Sequence, residues 1–287
     1  MKTFFKQLGK AICYFLLYYG MQLILCFVYM LVYIVRTVAE TAGKVAAATD
    51  LGLEVSEWIP DAETIAFGAI DYLLQKQNDL IIISGILTIA FLVLFFLIRK
   101  KNVLTETGVV KTKGKYLALG LGLGLTTMLM INFGLSLLPE SWLEDYAAQS
   151  SVLLGGSDLA IFVSTVIMAP LIEELICRGL MLSRLRKGMP DWAAVLVSSL
   201  IFGLAHGQIV WITYAFLLGV VFGVVAVKSE SILPGLVMHM VFNLCGMVLP
   251  FLLSESISLG ICAVLTVIGA LLTAALLAVL LKQKKEN

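Results

Sequence analysis

Charge is scarce in this chain, and histidine scarcer still. Only 14% of the 287 residues are Asp, Glu, Lys or Arg, and there are two histidines. A soluble domain carries about 25% charged residues, so a surface facing water on all sides is excluded. The net charge of +1 comes without a basic stripe or interleaved aromatics, and no nucleic acid is expected as a partner. The five cysteines (Cys13, Cys26, Cys177, Cys245, Cys262) sit inside apolar stretches with no C-x-x-C pair. They read as small apolar side chains and exclude a disulfide framework or zinc ribbon. No internal repeat of fixed period is present.

What the chain has in quantity is apolar sequence. Sixty per cent is hydrophobic and mean hydropathy is +1.01, which makes lipid the solvent for most of it. A crossing helix needs about 20 apolar residues. Eight such stretches are expected: Ile12–Val35, Leu80–Ile98, Tyr116–Leu138, Leu159–Arg184, Trp192–Gly207, Ile209–Val227, Ile232–Leu253 and Ile257–Leu281. The first is too long for a secretory signal core. Gly120, Gly122 and Gly124 in the third are spaced by two, which does not make a clean small-residue packing face. The expected fold is an all-α membrane bundle of about eight helices enclosing a polar cavity. Residues 1–113 supply N-terminal helices with an external amphipathic segment, and 114–287 the core of a single membrane domain.

Basic residues set the expected orientation. Lys2, Lys6, Lys10, Arg99, Lys100, Lys101, Lys111, Lys113, Lys115, Arg184, Arg186, Lys187, Lys228, Lys282, Lys284 and Lys285 fall on one side. The other side carries Glu40, Asp50, Glu54, Glu57, Asp61, Glu63, Asp71, Glu140, Glu144 and Asp145, with Arg36, Lys44 and Lys76 as exceptions. Both termini are therefore expected in the cytoplasm, and for a bacterial chain the membrane would be the plasma membrane. Between Asp61 and Leu74, Ala66, Ala69, Ile70 and Leu73 share a helical stripe, which predicts a short helix on the membrane surface.

Ionisable groups inside spans cost about 2.5–3.5 kcal/mol each, so they are functional candidates by default. Here they form three short motifs: Glu173, Glu174 and Arg178 in the fourth span, Phe202 and His206 in the fifth, His239 and Asn243 in the seventh. Glu174 and Arg178 are four apart, hence neighbours on one helix face, and an Arg in lipid needs a carboxylate. On an α-helix Glu173 points about 100° away, free to face another cavity. His239 and Asn243 share a face for the same reason. Phe202 reads as a wall.

A desolvated glutamate can act as general base and then acid. A histidine beside it can orient water, and a His–Asn pair can donate to an oxyanion. Two histidines and a carboxylate could instead hold zinc with an open position. Glu173, His206 and His239 are the candidate ligands, although the His-Glu-x-x-His spacing is absent. Spacing alone leaves both chemistries open. A non-catalytic bacteriocin-immunity or scaffold protein is the alternative, and a transporter is disfavoured by the absence of an inverted repeat.

In order and spacing, Glu173-Glu174-x-x-x-Arg178, Phe202-x-x-x-His206 and His239-x-x-x-Asn243 resemble the type II CAAX prenyl endopeptidases and their bacterial bacteriocin-processing and immunity relatives. Gly179 matches as well. The motifs cover Pro170 to Asn243, so the N-terminal half is compatible by hydropathy alone. The resemblance implies an intramembrane endopeptidase whose Glu173 and His206 activate water. Glu174 and Arg178 would support Glu173, and His239 and Asn243 would form the oxyanion site. The implied partners are membrane lipid and either a prenylated protein or a bacterial leader, pheromone or bacteriocin peptide. The favoured glutamate mechanism requires no cofactor, with a divalent metal left open.

Overall fold

The computed structural model describes residues 2–55, 59–252 and 257–283, as helices joined by loops with no strand among them. Glu57, Lys284, Lys285 and the expected end of the seventh span at Leu253 lie outside the described residues. In chain order the helices are α1 (Lys2–Asp50), α2 (Ala62–Gln75), α3 (Gln77–Ile98), α4 (Val103–Glu106), α5 (Gly114–Leu135) and α6 (Glu140–Leu153). Then come α7 (Asp158–Leu185), α8 (Asp191–Leu204), α9 (Ile209–Ser229), α10 (Leu233–Leu252) and α11 (Leu259–Lys282).

Six of them, α1, α3, α5, α7, α9 and α11, are long and apolar enough to cross a membrane among the described residues. The architecture is an all-α membrane bundle. The other two expected spans are shorter apolar helices, α8 and the Leu233–Leu249 stretch of α10. The 14 residues of α8 rise about 21 Å, less than the about 30 Å of hydrocarbon. The fifth span was expected to reach Gly207, but the helix ends at Leu204 and the chain turns at Gly207, with φ +77°.

α1 departs furthest from its expected span. It runs unbroken for 49 residues, about 74 Å, because no proline interrupts it and Arg36 pairs with Glu40 one turn on at 2.7 Å. Leu23, Ile24 and Phe27 face outward and Tyr18 is buried. α2 forms where the surface helix was expected, with Asp61 capping it by accepting from the Thr64 N–H at 2.8 Å. Its packed face differs from the expected stripe: Ala69 is buried, whereas Ile70 is exposed. Tyr72 turns onto α1, 5.5 Å from Tyr33. Next to lipid an outward apolar residue carries no cost, so apolar periodicity did not single out the inward face.

The glycines of α5 correct a second expectation. Gly120 and Gly124 are four apart and share a face against α10, where a Cβ on Gly120 would overlap the Pro234 carbonyl and one on Gly124 would lie 2.7 Å from the Met238 carbonyl. Gly122 looks the other way, toward Leu276 of α11. The spacing of two thus hides a small-xxx-small contact, and that contact draws in the α10 backbone beside His239.

α7 is continuous but not uniformly α-helical. Phe162–Met168 and Glu174–Leu182 are wound as π-helix, with an α-turn, Ala169–Glu173, between them. Pro170 in that turn has no N–H to give and crowds the carbonyl one turn earlier. A wider π turn relieves the crowding, as membrane helices do around proline. π segments are rare and often mark functional sites.

Candidate active site

Glu174 is fully buried and Arg178 nearly so, and Arg178 Nη1 donates to Glu174 Oε1 at 3.0 Å. Arg178 Nη2 donates to the Gly219 carbonyl on α9 at 3.2 Å. The guanidinium lies over Phe202 at 4.3 Å and Phe222 at 5.0 Å from the ring centroids. A cation between two rings in a dry setting gains about 2 kcal/mol or more per contact. Phe202, expected as a wall, also covers this cation. Gly179 follows because the α4–α5 connection passes there: a Cβ would overlap the Thr107 carbonyl.

His239 of α10 lies between the two glutamates. Its Nε2 is 3.6 Å from Glu173 Oε2 and its Nδ1 is 3.4 Å from Glu174 Oε1. The second approach is too poorly aligned for a hydrogen bond, and Nδ1 has no other partner. Its ring stacks on Phe222 at 4.7 Å. Glu173 and Glu174 face separate surroundings, the first a cavity and the second Arg178, and both also approach one imidazole. The π segment that opens at Glu174 winds more than 3.6 residues per turn, so the α-helical projection does not hold there. Two carboxylates and one guanidinium leave one negative charge if all are ionised, and a proton on His239 neutralises the set.

His206 stands just past the end of α8. Helices leave their last carbonyls unpaired, and the Phe202 carbonyl is met by His206 Nδ1 at 2.9 Å. A carbonyl only accepts, so Nδ1 carries the hydrogen and Nε2 is the basic nitrogen of the neutral ring. The Phe-x-x-x-His spacing is therefore a C-terminal cap that also fixes a tautomer. His206 and Glu173 line one cavity of about 520 Å³.

Asn243 has a local task. In the π register the donor for the Thr165 carbonyl would be residue 170, a proline, while the Ala169 N–H is already given to Ser164. Asn243 Nδ2 fills the vacancy, donating to Thr165 O at 2.7 Å. A side-chain amide has two N–H groups, so a second remains. The structure therefore brings Glu173, Glu174, Arg178 and His239 into direct contact, places His206 on the shared cavity, and ties Asn243 to the Thr165 carbonyl of α7.

Several lining residues lay outside the sequence reading. α1 contributes Tyr18, Tyr19 and Gln22, and α6 contributes Asp145 and Gln149. Gln22 Nε2 donates to the Tyr18 hydroxyl at 2.9 Å. Asn78, buried on α3, donates to the Gly155 carbonyl at 2.6 Å and accepts from Ser164 Oγ at 2.5 Å, which pins the α6–α7 loop. A polar residue in an apolar helix was the available signal for Gln22, whereas Asn78 lies in the polar run before Leu80 and gave none. The tyrosines gave none.

The metal alternative finds no matching donor set. Among the described residues no three His, Cys, Asp or Glu side chains gather as ligands, and both ring nitrogens of His239 face carboxylates.

No curated protein and no solved structure matches the chain. Residues 155–245, the stretch that holds all six polar residues, match the family model of the type II CAAX prenyl endopeptidases, Rce1-like, the family whose motifs the sequence resembles.

Proposed function

We propose that this chain is an intramembrane endopeptidase that hydrolyses a peptide bond of a membrane-associated substrate with water activated by Glu173. The supporting observation is that Glu173 alone of the two glutamates lines the cavity, beside His206, while Glu174 is buried against Arg178. In this reading Glu173 takes a proton from water as its oxygen attacks the carbonyl carbon, and His206 Nε2 orients that water. Protonated His239, with the second N–H of Asn243, donates to the oxyanion. Glu173 then returns the proton to the leaving nitrogen as the C–N bond breaks. Glu174 and Arg178 hold His239 and do not touch substrate.

General acid–base catalysis contributes about 10²–10⁴-fold, and one oxyanion donor about 10²–10³-fold. The test is cleavage of a panel of prenylated and unprenylated peptides by detergent-purified protein, with and without chelator. The wild type is expected to cleave with chelator present, and Glu173→Gln to lose about 10³-fold or more. Cleavage retained by purified Glu173→Gln rules out the assigned base.

A further inference from the structure

The bundle sorts its charge between two ends. At one end Lys115 Nζ reaches Gln283 at 2.8 Å, Lys228 Nζ reaches the Leu281 carbonyl at 2.9 Å and Arg184 reaches Glu106 at 3.3 Å. These contacts gather the basic termini of α5, α7, α9 and α11. At the other end Asn78 holds the α6–α7 loop, Gln149 Nε2 donates to the His206 carbonyl at 3.4 Å, and Tyr146 packs on Trp211 at 5.9 Å. That end carries Glu63, Asp71, Asp79, Glu140, Glu144 and Asp145.

The cavity of Glu173 and His206 belongs wholly to the acidic end. Its rim is Leu74 and Gln77 at the α2–α3 junction with Asp145 and Gln149 of α6. Toward the basic end every residue from Glu174 to Leu182 is buried. A separate cavity of about 190 Å³, lined also by Glu106, Arg186 and Glu230, reaches Arg178, whose guanidinium is covered by Phe202 and Phe222. Among the described residues, the cavity that holds Glu173 and His206 is thus lined toward the acidic end. Short loops rich in Lys and Arg stay in the cytoplasm.

We infer that the reaction centre is reached from the non-cytoplasmic face, and that its substrate is a polypeptide segment presented there. An exported or membrane-inserted peptide fits this geometry, and the C-terminus of a cytosolic prenylated protein does not. The chemistry rests on the endopeptidase reading; the side of access does not.

Two measurements on the full chain keep these apart. With the wild type as the blank, Ala148→Cys at the cavity rim is expected to react with a membrane-impermeant maleimide in intact cells. Lys187→Cys is expected to react only after permeabilisation. The reverse pattern overturns the inference whatever the activity. In sealed vesicles of both orientations, an impermeant peptide cleaved by the detergent-purified protein should be cut at least tenfold faster from the non-cytoplasmic side. Equal or faster cleavage from the cytoplasmic side also overturns it. If no peptide is cleaved in detergent, the endopeptidase reading fails, and the maleimide pattern still decides the side.

Discussion

The polar centre has two halves, divided between adjacent residues of one helix. On the acidic side Glu173 looks into a cavity of about 520 Å³ shared with His206. On the basic side Glu174 is sealed, paired with Arg178 at 3.0 Å and closed over by Phe202 and Phe222. The same carboxylate chemistry therefore has two physical settings. One has room for water and a substrate, and the other has a permanent counter-charge and no space. In the proposed reading the buried ion pair supports a reactive neighbour: Glu174 approaches the far nitrogen of the imidazole that Glu173 faces.

The comparison can be broken from its sealed half. Arg178→Met should leave Glu174 buried without a partner, which costs about 3–5 kcal/mol and should collapse folded yield in detergent. The double variant Arg178→Met/Glu174→Gln should recover much of that yield without recovering cleavage, as size-exclusion profiles and Tm would show. A stable single variant would mean that the pair is not the support.

From the open half, His206→Ala should lower cleavage about 10²-fold or more with a smaller loss of Tm, from the Phe202 cap and the ring contacts with Phe202 and Trp211. A large fall in Tm with proportionate loss of activity would assign His206 to packing. Asn243→Leu is smaller in stability. It orphans the Thr165 carbonyl, and a membrane-buried hydrogen bond is worth about 0.6–1.7 kcal/mol, readable as a modest drop in Tm.

The smallest effect sharpens the contrast between an ion pair in lipid and one at the water boundary. The hydrogen-bonded Lys101 ammonium holds the Glu106 carboxyl below the usual carboxylate range. A depressed folded pKa stabilises the fold above the ordinary carboxylate pKa, and that contribution is lost as pH falls through the lower, folded value. Lys101→Met should reduce it, Arg184 remaining beside Glu106, and flatten the acid limb of a Tm-versus-pH curve by an amount equivalent to at most about 1 kcal/mol.

Much of the centre was legible in sequence because membrane burial makes each ionisable residue conspicuous. Glu174 with Arg178 followed directly from helical spacing, whereas the cap that His206 gives the Phe202 carbonyl did not, because Phe202 read only as a wall. The separation of Glu173 from Glu174 also followed, but not their shared approach to His239, since the projection assumed 3.6 residues per turn and α7 changes its winding at that pair. Pro170 was the visible cause, but a proline does not announce whether a helix kinks or widens. The roles of Gly120 and Gly124 were masked by Gly122, which serves the opposite neighbour. The cavity walls from α1 and α6 were illegible for another reason: Tyr18 and Tyr19 look like any aromatics in a span, and contacts between distant helices leave no local pattern.

The most direct test sets Glu173→Gln beside Glu174→Gln, each purified alike and measured for both cleavage and Tm. The account predicts that Glu173→Gln keeps its Tm and loses turnover, and that Glu174→Gln loses Tm because Arg178 is left without its counter-charge. A Glu173→Gln variant that still turns over, or a Glu174→Gln variant as stable as the wild type, would contradict it.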